Sequence, residues 1–379
     1  MRYFIVLIAF LLLIADRFGF NRQSPEKVIT VPDSSISLLF AGDIMAHMPQ
    51  VNAAFDTATG GYCFDGTFSY VKPVFSEYDF VIANLETTLA GKPYSGYPQF
   101  SAPDELALAC KNAGIKILET ANNHCCDKGK QGITRTIAVL DSMGISHLGT
   151  YSDSIERAHK SPLIIEKNGI RVALLNYTFS TNGISAAKPV IVNYIDTSMI
   201  ASDIAKATLL HSDKIILIMH WGNEYESFPN VNQKTIAVWC FSKGADIIIG
   251  SHPHVIQPVV WEKDAKDKVT FFSLGNFVSN QRKSRTDGGM MAGIVLRKSM
   301  KKTSVAYAGH YLTWVYNPYI DGRKKYYILP CSAYETDTAF FKTKADFSDM
   351  KAYIKGARGL LDSNNVNEKE YLFKNGKWE

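Results

Sequence analysis

The 379-residue sequence lacks several features that would place it in a familiar class of protein. Its six cysteines form no CxxC pair, which argues against a structural zinc site of that kind. Lys and Arg number 41 against 36 Asp and Glu, and the basic clusters at 263–268, 297–302 and 322–325 are separate. Without a concentrated basic stripe, no nucleic-acid partner is predicted. What is left is a globular composition, 46% hydrophobic and 20% charged, with length for one large core or two smaller ones.

The sequence has only one long apolar run, and this run lies at the N-terminus. Twelve apolar residues from Phe4 to Ala15 follow a short basic head. This matches the central region of an export signal and is too short for a comfortable membrane span. Asp16 and Arg17 follow at once, so either cleavage occurs at an atypical site or the segment stays as an anchor. We expect an exported protein of the cell envelope, periplasmic or anchored in the inner membrane and facing outward.

From Ser35 onward, short apolar runs alternate with longer helical patterns, which indicates a layered α/β fold. The strand candidates are 36–41, 79–83, 115–118, 171–177, 214–219, 245–249 and 269–274. Several are apolar throughout, as expected for strands covered on both faces. Helical patterns occupy 104–114, 132–144, 196–210 and 232–244. Beyond about residue 300, Tyr-rich alternating runs indicate antiparallel strands, followed by a helical stretch from about 344 and a tail.

Polar side chains follow six of these strands at the point where each strand ends. They are Asp43, Asn84, Glu86, Asn122, Asn123, His124, His220, Glu224, His252, His254 and Asn276. In α/β sheets, ligand sites collect beyond the carboxyl ends of the strands. We therefore expect these residues, distant in sequence, to converge in one crevice.

The donors in this set are oxygen and nitrogen atoms, which suit Mn, Fe, Zn or Mg rather than Cu(I). The pair His252 and His254 can reach one metal or two adjacent ones. A carboxylate between two cations can bridge them at the spacing of about 3.5–4 Å found in two-metal hydrolases. The alternative is a metal-free polar network, because imidazole both donates and accepts hydrogen bonds.

The motifs GDIM, ANLE, ANNHCCDKGKQGI, HWGNEY, GADIIIGSHPHVIQ and SLGNF occur in this order. The series resembles the CapA family, the poly-γ-glutamate capsule biosynthesis proteins, over about Ser37 to Phe277. That family is similar in fold to the calcineurin-like metallophosphoesterases. The resemblance implies a four-layer α/β sandwich of two β-sheets flanked by helices, with a metal site at the strand ends.

With this resemblance, the chain divides into four predicted segments. They are a signal peptide or anchor (1–20), a linker (21–34), a CapA metallophosphatase-like domain (35–300) and a β-rich C-terminal extension and tail (301–379).

Carried over by position, the resemblance also implies roles for individual residues. Asp43 and His254 would bind a first metal, Glu86 would bridge, and Asn123, His220 and His252 would bind a second metal. His124 is the predicted catalytic residue, which protonates the leaving group or steadies developing charge. The predicted substrate-binding residues are Asn84, Asn122, Trp221, Glu224, Gln257 and Asn276. For Asn84 and Asn122 the alternative is turn stabilisation, and for Trp221 and Glu224 it is packing of the pocket wall.

The sequence departs from the phosphoesterase pattern at one position. The first motif there is Asp-x-His, whereas this chain has Asp43-Ile44-Met45. A thioether is a poor ligand for a hard cation, and His47 lies at the wrong offset. The prediction is therefore one or two divalent ions, with Mn, Fe or Zn favoured.

Three functions remain open on the sequence. The first is a metal-dependent, metallophosphatase-like hydrolase in poly-γ-glutamate or capsule biosynthesis or export. The second is a non-catalytic accessory protein of a membrane-bound polymer synthase, whose subunits would be its partners. The third is a hydrolase of γ-glutamyl amide bonds. In each, the partner is an anionic polymer or a small-molecule substrate, and the N-terminus contacts the inner membrane.

Overall fold

The computed structural model describes residues 34–263, 267–300 and 302–379. The predicted signal or anchor segment and all but the last residue of the predicted linker lie outside the described residues. Within the described ranges, we find no helix with the length and apolar character that crossing a membrane requires.

A nine-stranded sheet carries the first half of the strand-end motifs. Its strands are β1 (Ser34–Ile44), β2 (Phe80–Leu85), β3 (Ile117–Glu119), β4 (Ser146–Leu148), β13 (Asn276–Val278), β14 (Gly288–Ser299), β15 (Lys302–Tyr316), β18 (Tyr327–Pro330) and β19 (Lys369–Glu370). The order is β18-β15-β14-β1-β2-β3-β4, with β13 beside β1 and β19 beside β15. Strands β1 to β4 and β13 run parallel, whereas β14, β15 and β18 alternate in direction.

A six-stranded sheet carries the remaining motifs. Its strands are β6 (Leu163–Lys167), β7 (Ile170–Thr178), β9 (Lys214–His220), β10 (Ile247–Ser251), β11 (Val259–Glu262) and β12 (Lys268–Phe271). The order is β11-β12-β10-β9-β7-β6, parallel from β12 to β7 with antiparallel edges. Three short pairs complete the strands: β5 (Thr150–Tyr151) with β8 (Ile191–Val192), β16 (Tyr319–Ile320) with β17 (Arg323–Lys324), and β20 (Phe373–Lys374) with β21 (Lys377–Trp378).

The helices connect and cover these sheets. They are α1 (Met48–Ala54), α2 (Lys72–Phe75), α3 (Glu105–Ala113), α4 (Gly129–Ser142), α5 (Ser154–Lys160), α6 (Thr197–Leu209), α7 (Val231–Lys243), α8 (Cys331–Tyr334) and α9 (Lys344–Asn364), with a 3-10 turn at Asp65–Phe68. Several begin at a polar cap; the Asn230 side chain, for example, accepts the Gln233 N–H at 2.9 Å at the start of α7.

Alternation along the strands explains how the layers form. In β1, Ile36, Leu38 and Phe40 join a cluster that also contains Ile216 and Ile218 of β9, so the two sheets face one another. The intervening β1 residues pack with α3 and α4, and the intervening β9 residues pack with α6 and α7. The order helix, sheet, sheet, helix is the predicted architecture, and the buried faces on both sides explain why the strands read as continuous apolar runs.

The C-terminal region extends the same core. Strands β14 and β15 form a long hairpin, and the predicted boundary at residue 300 falls within it. Helix α9 places Met350, Ile354 and Leu361 in the cluster between the sheets. Its Tyr353 hydroxyl donates to the Gly289 carbonyl at 3.0 Å, which ties the helix to β14.

Candidate metal centre

Within each sheet, neighbouring strands pack closely at the carboxyl ends of the parallel strands. A Cβ on Gly42 would lie 2.1 Å from the Gly275 carbonyl oxygen, and one on Gly250 would lie 2.0 Å from that of Phe272. Only glycine fits either position, which explains why each directly precedes a polar strand end. Asp43 follows Gly42 and pairs in register with both Asn84 of β2 and Asn276 of β13.

One group of donors consists of Asp43, Glu86 and His254. Their ligand atoms lie within 4.8 Å of one another, and all three residues are buried. His254 Nδ1 is 3.2 Å from Asp43 Oδ2, and its Nε2 is 3.8 Å from Glu86 Oε1. The three predicted residues associated with the first metal therefore come together.

A second group consists of Glu86, His220 and His252, also buried with ligand atoms within 4.8 Å of one another. His220 Nε2 lies 3.6 Å from Glu86 Oε1 and 2.8 Å from Asn123 Oδ1. Glu86 belongs to both groups, as the predicted bridging residue must. All six predicted metal ligands thus lie in one centre.

The hydrogen bonds of this centre indicate which of its buried polar atoms a cation would satisfy. Both oxygens of the Glu86 carboxylate and Nδ1 of His252 are buried and have no hydrogen-bond partner among the described residues. An unpaired buried carboxylate is costly, and buried charges in proteins are paired or coordinate metals. Burial, followed by the nearby Asp43 charge, raises the pKa of Glu86 well above its usual value. A divalent cation at this position would satisfy both carboxylate oxygens.

Two of the histidines, His220 and His252, have lowered pKa values, which favour the neutral form. Burial, with the neighbouring His254 contributing less, lowers the pKa of His252 to about 3. Burial also lowers the pKa of His220 well below its usual value, with His252 and His254 adding to the effect. Metal ligation needs the neutral imidazole, so these residues fit a divalent ion without a prior loss of protons.

Two predicted substrate residues, Asn84 and Asn122, hydrogen-bond to other residues of the centre. Asn84 Nδ2 donates to Asp43 Oδ1 at 2.8 Å, and its oxygen accepts from Asn122 Nδ2 at 3.1 Å. Asn122 also donates to the Leu85 carbonyl at 2.8 Å and accepts the His124 N–H at 3.1 Å. These buried side-chain amides therefore orient Asp43 and His124.

His124 is oriented by a residue that the sequence analysis missed. Its Nδ1 lies 2.8 Å from Asp127 Oδ2, which also accepts the Phe100 N–H at 2.7 Å. The Phe100 ring packs edge-on to His124 with centroids 4.7 Å apart. Because Nδ1 is engaged, Nε2 is the nitrogen available to a substrate. The spacing His-x-x-Asp within one turn was the available signal.

Similarity to known proteins identifies the family of this chain. The family model described as "Bacterial capsule synthesis protein PGA_cap" matches residues 37–281. The chain belongs to this family. It is 31% identical over 303 residues to the PGA biosynthesis protein CapA of Bacillus subtilis (strain 168), covering 77% of this chain and 76% of that protein. It is 28% identical over 299 residues to the capsule biosynthesis protein CapA of Bacillus anthracis, covering 76% and 70%. The predicted family is confirmed.

Among solved structures, this PGA_cap chain is similar to the calcineurin-like phosphoesterase YfkN from Bacillus subtilis. The TM-score is 0.44 at 13% identity, covering 86% of this chain and 98% of the other.

Two other predicted substrate residues, Trp221 and Gln257, hydrogen-bond to groups outside the donor set. The Trp221 indole N–H donates to the Phe272 carbonyl at 3.0 Å, and its ring lies in the core between β9 and the helices. Gln257 donates to the Glu226 carbonyl at 2.9 Å and accepts from Gln233 at 2.9 Å. Glu224 is exposed. The structure shows packing and backbone support at Trp221 and Gln257, and their binding role stays a prediction.

Asn276, in contrast, lies at the centre. Its oxygen is 3.1 Å from His254 Nδ1, and its amide donates to Gln281 Oε1 at 3.0 Å and to the Thr286 carbonyl at 2.8 Å. It therefore links a predicted ligand to the segment between β13 and β14.

Met45 and His47 complete the first motif. Met45 is buried, and its sulfur contacts the Gln281 amide at 4.0 Å. The His47 ring packs edge-on against Phe100 with centroids 5.2 Å apart, and its Nδ1 accepts the Asn280 N–H at 3.3 Å. Burial lowers the pKa of His47 to about 4. Met45 thus packs beside the centre.

A third cluster of potential ligands lies elsewhere in the described residues, at Asp141, His147 and Glu156. Here Lys160 already supplies the positive charge. Its Nζ lies 3.2 Å from Asp141 Oδ1 and 2.7 Å from Glu156 Oε1. We therefore assign no metal to this cluster.

Proposed function

We propose that this chain is a metal-dependent hydrolase-like protein of poly-γ-glutamate capsule biosynthesis or export. Family membership and the names of the two CapA relatives support the process. The observation that carries the chemistry is the buried Glu86 carboxylate, which is shared by two donor groups and finds no hydrogen-bond partner in the part of the chain that the structure describes. Mn, Fe or Zn fits the nitrogen and oxygen donors.

The chain's own residues suit hydrolysis in the following way. Asp43 and His254 on one side, and Asn123, His220 and His252 on the other, would hold one or two divalent ions about Glu86. A divalent cation there supplies Lewis-acid polarisation and a water nucleophile at neutral pH. Asp127 holds the His124 ring through Nδ1, so Nε2 can donate a proton to the leaving group.

Activity toward two reagents tests this proposal. The full chain, supplied with Mn, Fe or Zn, would be assayed on bis(p-nitrophenyl) phosphate and on γ-glutamyl p-nitroanilide. We expect hydrolysis by the parent and none by His220→Ala/His252→Ala. The control variant His159→Ala/His211→Asn removes two exposed histidines elsewhere and should keep parental activity. Equal activity in all three proteins would refute the assignment.

The same assay separates the alternatives. Release from the amide but not from the phosphate ester would favour cleavage of γ-glutamyl bonds. Metal binding with no turnover of either reagent would favour the accessory role, in which the chain binds an anionic polymer beside membrane-bound synthase subunits. The observation that favours this second role is Met45, which stands where the phosphoesterase motif has a histidine ligand.

We further propose that the chain is exported, with Phe4 to Ala15 as signal or inner-membrane anchor. The support is the apolar run behind a basic head. Protease added to intact spheroplasts should then degrade the chain, and protection until the cells are lysed would contradict export.

A further inference from the structure

The segment between β13 and β14, residues 279–287, carries three cations beside the metal centre. Arg282, Lys283 and Arg285 are exposed, and no acidic residue precedes Asp287 in this segment. No ion pair joins any of the three to a carboxylate within the described ranges of the chain. We call this segment the basic loop. Its charge is therefore available to an external anion.

The basic loop is tied directly to a predicted metal ligand. The Asn276 amide donates to Gln281 Oε1 and to the Thr286 carbonyl, and so holds both ends of the basic part of the loop. The Asn276 oxygen contacts His254 Nδ1 at 3.1 Å. The position of the cations is consequently coupled to the geometry of the centre.

Two of the cations also contact the segment that follows β9. Lys283 Nζ lies 3.9 Å from the centroid of the Tyr225 ring, which is itself 6.1 Å from the His254 ring. Arg285 donates from Nη1 to Ser227 Oγ. The Tyr225 N–H donates to the Pro253 carbonyl at 2.8 Å, between the two histidines. Arg282 contacts instead Ser279 and the Tyr326 ring. Lys283 and Tyr225 thus lie beside the centre, and Arg285 is bound to Ser227, two residues after Tyr225; we call these three residues the rim.

Backbone strain is concentrated at this rim. Twelve non-glycine residues in the described ranges have positive φ, and nine of these are Asn, Asp or His, in which it is more common. Of the other three, two belong to the rim: Tyr225 (φ 68°) and Arg285 (71°). Such conformations cost free energy and cluster at ligand-binding and catalytic sites. The strain is consistent with a rim arranged for a ligand rather than for stability.

We propose that Lys283 and Arg285 bind successive carboxylates of an extended anionic polymer and direct it past Tyr225 toward the metal centre. A guanidinium pairs with a carboxylate through two parallel hydrogen bonds, and a lysine serves as a point charge. Two separate cationic side chains, Lys283 and Arg285, can pair with carboxylates that repeat along a polymer. The identity of the polymer rests on the proposed function. The inference itself concerns binding of the polymer at the rim, which is separate from metal binding.

The test is binding of a fluorescein-labelled, γ-linked glutamate decamer to the full chain, followed by fluorescence anisotropy at low and physiological ionic strength. We expect Lys283→Ala/Arg285→Ala to weaken binding by about tenfold or more and to reduce its salt dependence. The matched control Lys243→Ala/Arg297→Ala removes the same two charges at the opposite edge of the sheets, at the end of α7 and beside Ser35. It should change the affinity by less than about twofold.

Several outcomes would overturn the proposal. Equal weakening in both double variants would mean attraction by net charge alone, and parental affinity in Lys283→Ala/Arg285→Ala would exclude the rim. Displacement of the decamer by inorganic tripolyphosphate at lower concentration than by unlabelled decamer would mean a phosphate site. Lys283→Gln/Arg285→Gln, which keeps polar contacts, guards against misfolding and should bind as weakly as the alanine variant.

Metal content of the same samples separates this proposal from the proposed function. Parental metal content together with weak decamer binding in the Lys283 and Arg285 variants supports the rim. A parent that binds the decamer through these residues but holds no metal overturns the hydrolase proposal and leaves the rim standing.

Discussion

Two clusters of histidine and carboxylate side chains in this protein differ in how their negative charge is balanced. At Asp141, His147 and Glu156, Lys160 lies within 3.2 Å of one carboxylate and 2.7 Å of the other. At the strand ends, Glu86 is fully buried, and within the described residues no Lys or Arg pairs with it; the His220 and His254 nitrogens lie 3.6 and 3.8 Å from its Oε1. Similar residue types thus make an ion-pair network in one place and a candidate metal centre in the other. The unpaired buried carboxylate is the distinguishing feature.

Chelation should give the largest difference between the two clusters. A metal at a free concentration of about 100 times Kd stabilises the folded state by about 2.7 kcal/mol. We expect EDTA to lower the Tm of the parent, and added Mn, Fe or Zn to restore it, in scanning calorimetry. His220→Ala/His252→Ala should show no such shift, whereas Asp141→Asn should respond as the parent does. A parent insensitive to chelation, or a lost response in Asp141→Asn, would remove the contrast.

The two clusters also contain a matched pair of histidine–aspartate contacts, His124 with Asp127 and His147 with Asp141. Asp127→Asn should reduce kcat by about 100-fold, because the amide no longer fixes the His124 tautomer or balances its charge. Asp141→Asn should leave kcat unchanged. The measurement is steady-state hydrolysis of whichever p-nitrophenyl reagent the parent cleaves, with metal content determined in parallel. A fall in metal content in Asp127→Asn would show a structural effect instead.

Glycine substitutions compare the packing around the two clusters. In Gly42→Ala the new Cβ would meet the Gly275 carbonyl oxygen at 2.1 Å, so the segment that enters β13 must move away from β1. We expect a loss of about 3 kcal/mol or more in the free energy of unfolding. Gly144→Ala, at φ +66° with open space around the Cβ, should cost only about 1 kcal/mol. Urea unfolding of both variants measures the difference, and equal midpoints would contradict the close approach.

Removing Lys160, at the cluster of Asp141, His147 and Glu156, should have the smallest effect on stability. Lys160 is 38% exposed, so Lys160→Ala should cost only about 0.2–1 kcal/mol. Without its ammonium, however, we expect weak zinc binding by Asp141, His147 and Glu156, detected by isothermal titration calorimetry. The double variant Lys160→Ala/Asp141→Asn should not gain it. If Lys160→Ala binds no additional zinc, charge balance is not what separates the clusters.

Much of the fold was predictable because both faces of the central strands are buried. Strands β7 and β9 were predicted within one residue at each end, since apolar runs of that length have few alternatives. The edge strand β6 was not predicted, because its partly buried pattern lacks such a run. Helix α4 begins at Gly129, three residues before the predicted start, where the sequence offered only a glycine turn.

At the centre, sequence reasoning identified the donors but not their support. Asp43, Glu86, His220 and His254 each follow an apolar strand, a local signal that places them at one edge. Asp127 was missed because its role depends on the turn that brings it back to His124. The contact between Lys283 and Tyr225 joins segments that are distant in sequence, and no local pattern announces it.

Metal content of the full chain and of Glu86→Gln, supplied with Mn, Fe and Zn, tests the central claim most directly. The substitution preserves shape and removes only the charge shared by the two donor groups. We expect stoichiometric metal in the parent and none in Glu86→Gln. A metal-free parent, or a variant that keeps the parental metal, would contradict it.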